Sequence, residues 1–440
     1  MPPDSGFPTL TETPPSRQNR IVAAFTRPSL PPTSRRAFRF HMAFTLLDAV
    51  YAGVLANAPL MAVKAMQATD RQLQVPLAMA SIGFFAAIFT GSAMAHRRKK
   101  PFVVAPGLGA AVAVLAMSFT HSAGWFLLFL GMTSLFDFCI RPAIPSILRI
   151  VYPDQRRSHV AGTLRQYAAV VFLSATLISA SLLTASGDHI RLMIQLQLIF
   201  ISLTSVASFA CFWQLPDRGD GSIEEASVTE VADHETTSWR SRVLNLSPFT
   251  DPSFRRFLLI FFLFAFSNLF YSAIVPAFFA RDLGFGYVQA TLLIHVVPAV
   301  SAFLAGGRFT AWFDRTTLWR SYSLVTLLWG IDPLLLAVAP PAWPILLFAR
   351  ICRGPATVGS MVLTFYTGVH SFASPGPDTS RYTAVQFSVN GVARLTAPAA
   401  AAFLSGHMSH RSMLLSGSLG VLAASALFLH SHNLRRREFK

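Results

Sequence analysis

Apolar runs of about twenty residues recur along this chain, separated by short polar breaks. A helix needs about 20 residues to cross about 30 Å of hydrocarbon, so each run predicts one membrane span. Twelve spans are predicted, at 41–63, 75–95, 102–120, 125–149, 160–184, 191–213, 256–280, 288–307, 320–339, 344–366, 382–405 and 411–430. The longest break between runs, Pro216 to Phe254, follows the sixth and carries the acids Asp217, Asp220, Glu224, Glu225, Glu230, Asp233 and Glu235. It reads as a solvated linker between two membrane halves. The expected fold is all-α and polytopic, with about twelve transmembrane helices in two pseudo-symmetric six-helix bundles. The expected parts are an N-terminal tail (1–40), a first bundle (41–213), a linker (214–255), a second bundle (256–430) and a basic tail (431–440).

Charge orients this pattern. Of 36 Lys and Arg, 26 fall on the side that holds both termini, in clusters such as Arg97 to Lys100 and Arg435 to Lys440. Opposite them stand only Lys64, Arg71, Arg191, Arg281 and Arg411. The positive-inside rule then makes both termini and the linker cytoplasmic, as in a bacterial inner membrane. The net charge of +16 is spread over short loops beside the membrane, which suits anionic headgroups and not nucleic acid. Residues 1–40 have no apolar signal core and read as a tail. Cys139, Cys211 and Cys352 lie in apolar sequence without metal-type spacing, so neither disulfide nor metal is expected. His407, Met408 and His410 are taken as chance neighbours rather than a metal site.

The halves echo each other. Gly91-Ser-Ala-Met-Ala-His-Arg-Arg-Lys-Lys100 follows span two, and Gly306-Gly-Arg-Phe-Thr-Ala-Trp-Phe-Asp-Arg315 follows span eight. Span four carries Arg141 where span ten carries Arg350 and Arg353. The layout and the loop after span two resemble the major facilitator superfamily, whose motif there is Gly-x-x-x-Asp-Arg-x-Gly-Arg-Arg. Gly91, Lys99 and Lys100 match it, whereas Ala95 stands in place of the acid; Asp314 and Arg315 restore the acid–base pair in the second half. The resemblance implies a cytoplasmic gate at these loops and a central cavity lined by spans one, four, seven and ten. The fifth span lacks the Gly and Pro of the antiporter motif: Val170 to Thr184 has neither.

Those four spans hold much of the deep polar set: Asp48, Tyr51 and Asn57; Asp137 and Arg141; Asn268 and Tyr271; Arg350, Arg353, Thr357 and Tyr366. Spacings of three and four put pairs such as Asp48 with Tyr51 and Asp137 with Arg141 on shared helix faces. Each pair has a plainer reading as a satisfied packing contact. Asp332, before Pro333, is read as the partner of Arg350 or Arg353. Gln386, Asn390 and Arg394 form one face of span eleven, read as interhelical packing. Deep arginines outnumber deep aspartates, which favours an anionic or amphipathic solute, and Asp48 and Asp137 are the natural proton carriers. No nucleotide-binding loop is present.

The expectation is a monomeric, non-enzymatic, cofactor-free secondary transporter, proton-coupled and working by alternating access. The alternatives are a multidrug-type exporter, whose cavity the phenylalanines between Phe261 and Phe279 would line, and a non-transporting scaffold or sensor.

Overall fold

The structure is a computed structural model that describes residues 32–93, 98–140, 143–144, 147, 151–152, 154–216, 250–313, 315–338, 340–363, 372 and 377–438. Arg141, Asp314, Tyr366 and the acidic part of the linker lie outside the described residues. The described residues form helices and no strand. In the first half, α1 (Pro32–Leu55, resumed as Ala58–Met66), α2 (Val75–Ala93), α3 (Lys100–Ser118), α4 (Ala123–Ile140), α5 (Asp154–Ala185) and α6 (Ile190–Trp213) follow in order. The second half begins with α7 (Pro252–Ser272, continued by Val275–Ala277 and a π turn, Phe278–Asp282). Then come α8 (Tyr287–Thr291, a π turn Leu292–Val296, and Val297–Phe313), α9 (Leu318–Val338), α10 (Trp343–Val362), α11 (Pro377–Leu404) and α12 (His410–Glu438).

Among the described residues, nine helical stretches are long and apolar enough to cross a membrane. The stretches below that mark are α2, α10 and α11. Part of α2 is not described in full, Arg350 and Arg353 lower the hydropathy of α10, and Arg381 and Arg394 interrupt α11. Large apolar side chains such as Val112, Trp125, Leu203, Leu259, Leu304 and Phe403 lie on the outside, where lipid would solvate them.

Helix pairing repeats between the halves. Helix α1 packs on α5 and α6, α3 on α4 and α6, and α2 on α4. Six helices later, α7 packs on α11 and α12, α9 on α10 and α12, and α8 on α10. Each of these pairings has its counterpart, as a duplicated bundle requires. The halves meet along two seams, α2 with α11 and α5 with α8, which the same duplication exchanges.

Local sequence explains the shared irregularities. Pro59 cannot donate to the carbonyl of Leu55, and α1 breaks there; Pro276 stands in the same relation to Ser272, where α7 breaks. The start of α7 is set by Asp251, whose carboxylate accepts from the backbone N–H of Ser253 and of Phe254 at 2.8 and 3.3 Å. Absent side chains permit close approach within each half. A Cβ on Gly83 would sit 2.7 Å from the Leu135 backbone, and one on Gly354 would collide with the Pro298 carbonyl and the Ser301 hydroxyl. The second half is further filled by aromatic rings, with the Tyr322 ring centre 5.1 Å from those of both Phe257 and Phe428.

Candidate functional site

A cavity of about 620 Å³ opens among α1, α2, α3, α4 and α6 and is closed on one side by α11. That volume lies in the range of small-molecule sites. Its polar lining is Asp48 and Tyr51 from α1, Thr133, Ser134 and Asp137 from α4, Ser205 from α6, and Arg394 from α11. Tyr51 stands beside Thr133, with the charges of Asp48 and Asp137 acting on it. The Arg394 guanidinium lies 5.6 and 5.9 Å from the ring centres of Phe138 and Phe84, a cation–π arrangement across the seam. On the same seam the Ser81 hydroxyl donates to the Arg394 carbonyl at 2.6 Å.

A second polar centre lies inside the other half. Asp332, fully buried, accepts from Arg350 Nη1 at 2.8 and 2.9 Å and from Arg353 Nη1 at 3.0 Å. Arg350 is 1% exposed and donates its Nε–H to the Leu293 carbonyl. Arg353 is 17% exposed, lies 4.3 Å from the Trp329 ring centre and donates to the Tyr271 hydroxyl at 3.3 Å; that hydroxyl donates to Asn268. Two guanidinium ions on one carboxylate leave one formal positive charge, and it falls on the more exposed side. His295, on the π turn of α8, sits within the fields of both arginines and against the Ala56 backbone at the cavity wall.

Asn57 is fully buried at the break of α1 and joins three helices. Its Nδ2 donates to the Thr176 carbonyl of α5 at 2.9 Å, and its Oδ1 accepts from the Thr291 hydroxyl of α8 at 2.7 Å.

Beyond Asn57, at the end opposite the chain termini, the halves are tied by charge. Lys64 donates to the Phe285 carbonyl at 2.7 Å and lies over the Tyr287 ring. Arg281 donates to the Ala68 carbonyl and to Asp70 Oδ1, the latter at 2.7 Å. His410 lies between two carboxylates, with Nε2 2.9 Å from Asp70 Oδ2 and Nδ1 2.6 Å from Asp282 Oδ1. Burial alone would raise the Asp70 carboxyl; the hydrogen bonds and charges of His410 and Arg281 outweigh it and hold the group below the usual carboxylate range.

The sequence-derived candidates are thus divided among separate places. Asp48, Tyr51 and Asp137 share the cavity; Asn268, Tyr271, Arg350, Arg353 and Asp332 share the second centre; Asn57 bridges the halves. Thr357 bonds back to the Arg353 carbonyl and is exposed. Of the loop candidates, Gly91 lies in α2, Lys99 caps α3, Lys100 begins it, and Arg315 is exposed after α8. Arg394, read as a packing residue, faces the cavity. The group Asp70, Arg281, Asp282 and His410 escapes sequence reasoning because it spans 340 positions from first to last. The one hint is a set of isolated charges on the charge-poor side.

A comparison with curated proteins finds no match. Among solved structures, the fold is similar to the nucleoside transporter NupG (TM-score 0.66, 14% identity, 91% of this chain and 99% of that one). It is similar also to a POT family transporter in complex with a thioalcohol conjugated peptide (TM-score 0.68, 12%, 91% and 98%). A third likeness is a bacterial homolog to the human lysosomal transporter Spinster (TM-score 0.60, 14%, 91% and 95%). At these identities the likeness speaks for the fold alone. Residues 40–331, about two thirds of the sequence, match the family described as Major Facilitator Superfamily. With two matching sets of paired helices among the described residues and that match in sequence, the chain belongs to the Major Facilitator Superfamily.

Proposed function

We propose that the protein is a proton-driven secondary transporter that moves a small, anionic or amphipathic solute by rocking its two halves, with both termini in the cytoplasm. The observation that carries this reading is the opposite formal charge of the two polar centres. Among the described residues, Asp48 and Asp137 outnumber Arg394 in the cavity lining, while Arg350 and Arg353 outnumber Asp332 in the other half. Charge inside a membrane is costly and is retained where it is paired or where it marks a substrate or proton path. Protons on Asp48 or Asp137 and an acidic group near Arg353 supply a counter-charge to each centre. In this reading His295 stands between them, close to both arginines and to the Ala56 backbone.

The similar structures include one described as a nucleoside transporter and one in complex with a thioalcohol conjugated peptide, so solutes of these classes are the first to try against a cavity of about 620 Å³. An exporter walled by phenylalanine is less well supported. Phe261, Phe264, Phe270, Phe278 and Phe279 are buried in the core, and the phenylalanines at the cavity are Phe138 and Phe209.

The test is solute-driven acidification in proteoliposomes. A panel of small acids, zwitterions and nucleosides is expected to contain a solute whose uptake carries protons, with Asp48→Asn or Asp137→Asn removing proton movement. Solute uptake that leaves both variants fully coupled would overturn the carboxylate assignment. A chain that neither binds nor moves any member of the panel would favour the scaffold reading.

A further inference from the structure

We propose that His410, Asp70 and Asp282 form a proton-operated clasp that holds the two halves together at the end opposite the termini, so that pH on that side sets how far this end opens. The inference does not depend on the solute or on how transport is driven.

The geometry dictates the protonation state in which the clasp holds. An ionised carboxylate only accepts hydrogen bonds, so a ring with a carboxylate oxygen at 2.6 Å from one nitrogen and 2.9 Å from the other has to donate from both. Such a ring is an imidazolium. In that state Asp70, Asp282, Arg281 and His410 sum to zero formal charge. Loss of one proton leaves a surplus negative charge and turns a ring lone pair toward a carboxylate at hydrogen-bond distance. The contact then changes from attraction to repulsion.

The contact also lies where it governs opening. Asp70 belongs to the turn between α1 and α2 in the first half, whereas Asp282 ends α7 and His410 begins α12 in the second. Separation of the halves at this end must break the bond from His410 to Asp70. Other charges facing the group are fixed over the same pH range. Arg281 binds Asp70, Lys64 binds the Phe285 carbonyl, the Arg71 guanidinium lies beside Gly406, and Arg411 follows His410 on α12, exposed. His407, on the turn before α12, is exposed and lies against the Phe403 ring. The clasp is therefore switched by its one imidazole, a side chain that ordinarily changes charge between about pH 5 and about pH 8, and the hydrogen bonds to Asp70 and Asp282 push that step of His410 upward. The sign follows: acid closes this end and alkali releases it.

The experiment places spin labels at Ser122, in the turn before α4, and at Ala342, in the turn before α10, both exposed at this end, after Cys139, Cys211 and Cys352 are replaced. Full-length protein in lipid nanodiscs is measured by pulsed electron resonance at several values between about pH 5 and about pH 8. In the parent the short-distance population should fall severalfold as pH rises. His410→Gln should show a smaller short-distance population that does not respond to pH. His410→Arg keeps a cation between the carboxylates and should hold the short distance throughout, which also separates loss of charge from misfolding. A parent distribution unchanged with pH, or a His410→Gln variant that keeps the parent response, would sink the proposal.

Discussion

Two guanidinium ions in a nearly dry interior depend on the single carboxylate of Asp332. Removing one partner of a buried pair costs about 3–5 kcal/mol, since the other charge stays behind unpaired. Asp332→Asn is therefore expected to lower the melting temperature sharply in detergent. Adding Arg350→Gln should recover part of the loss, because one of the stranded charges goes with it. Asn57 is a milder case with a cross-half signature. Asn57→Ala removes a donor and an acceptor, leaves the Thr291 hydroxyl without its partner, and should cost about 1–3 kcal/mol by thermal melting. If Asn57→Ala melts like the parent, these bonds do not hold the halves together.

Among the helices, the decisive sites are those with the least side chain. Gly354 lets α10 lie against the backbone of α8, so Gly354→Leu is expected to push the pair apart and destabilise by at least about 1–3 kcal/mol. Gly162 of α5 has open space for 4 Å around the point where a methyl would stand, so Gly162→Ala should be neutral or stabilising, by up to about 1 kcal/mol. Melting curves of the two variants check both. At this scale the spans are legible from apolar length, and their order follows from alternating charge. The breaks in α1 and α7 are less so, because Pro59 and Pro276 sit within runs that are apolar enough to read as single spans. Arg394 misleads a reader of sequence for a related reason. Its spacing with Gln386 and Asn390 shows which side of α11 is polar, but only packing decides whether that side meets a helix or a cavity.

For the whole molecule, orientation rests on 26 basic residues at one end against five at the other. In a bacterial host, alkaline phosphatase fused after Lys440 should therefore be inactive, and the same enzyme inserted near Asp188, in the turn between α5 and α6, should be active. The reverse pattern would invert the proposed orientation. Duplication is visible in the sequence as loops and arginines in matching positions, but not in the contacts that make it functional. Those contacts depend on which helix faces which, and apolar spans look alike to a reader of sequence.

In the rocking proposed above, the two seams, α2 with α11 and α5 with α8, are the paired bearings of one shaft. A body held by two bearings keeps a single freedom, rotation about the line through them, so any widening at one mouth is a narrowing at the other. A bridge across a bearing, such as one near Ser81 and Arg394, leaves that rotation free, whereas a bridge across a mouth stops the machine in one position.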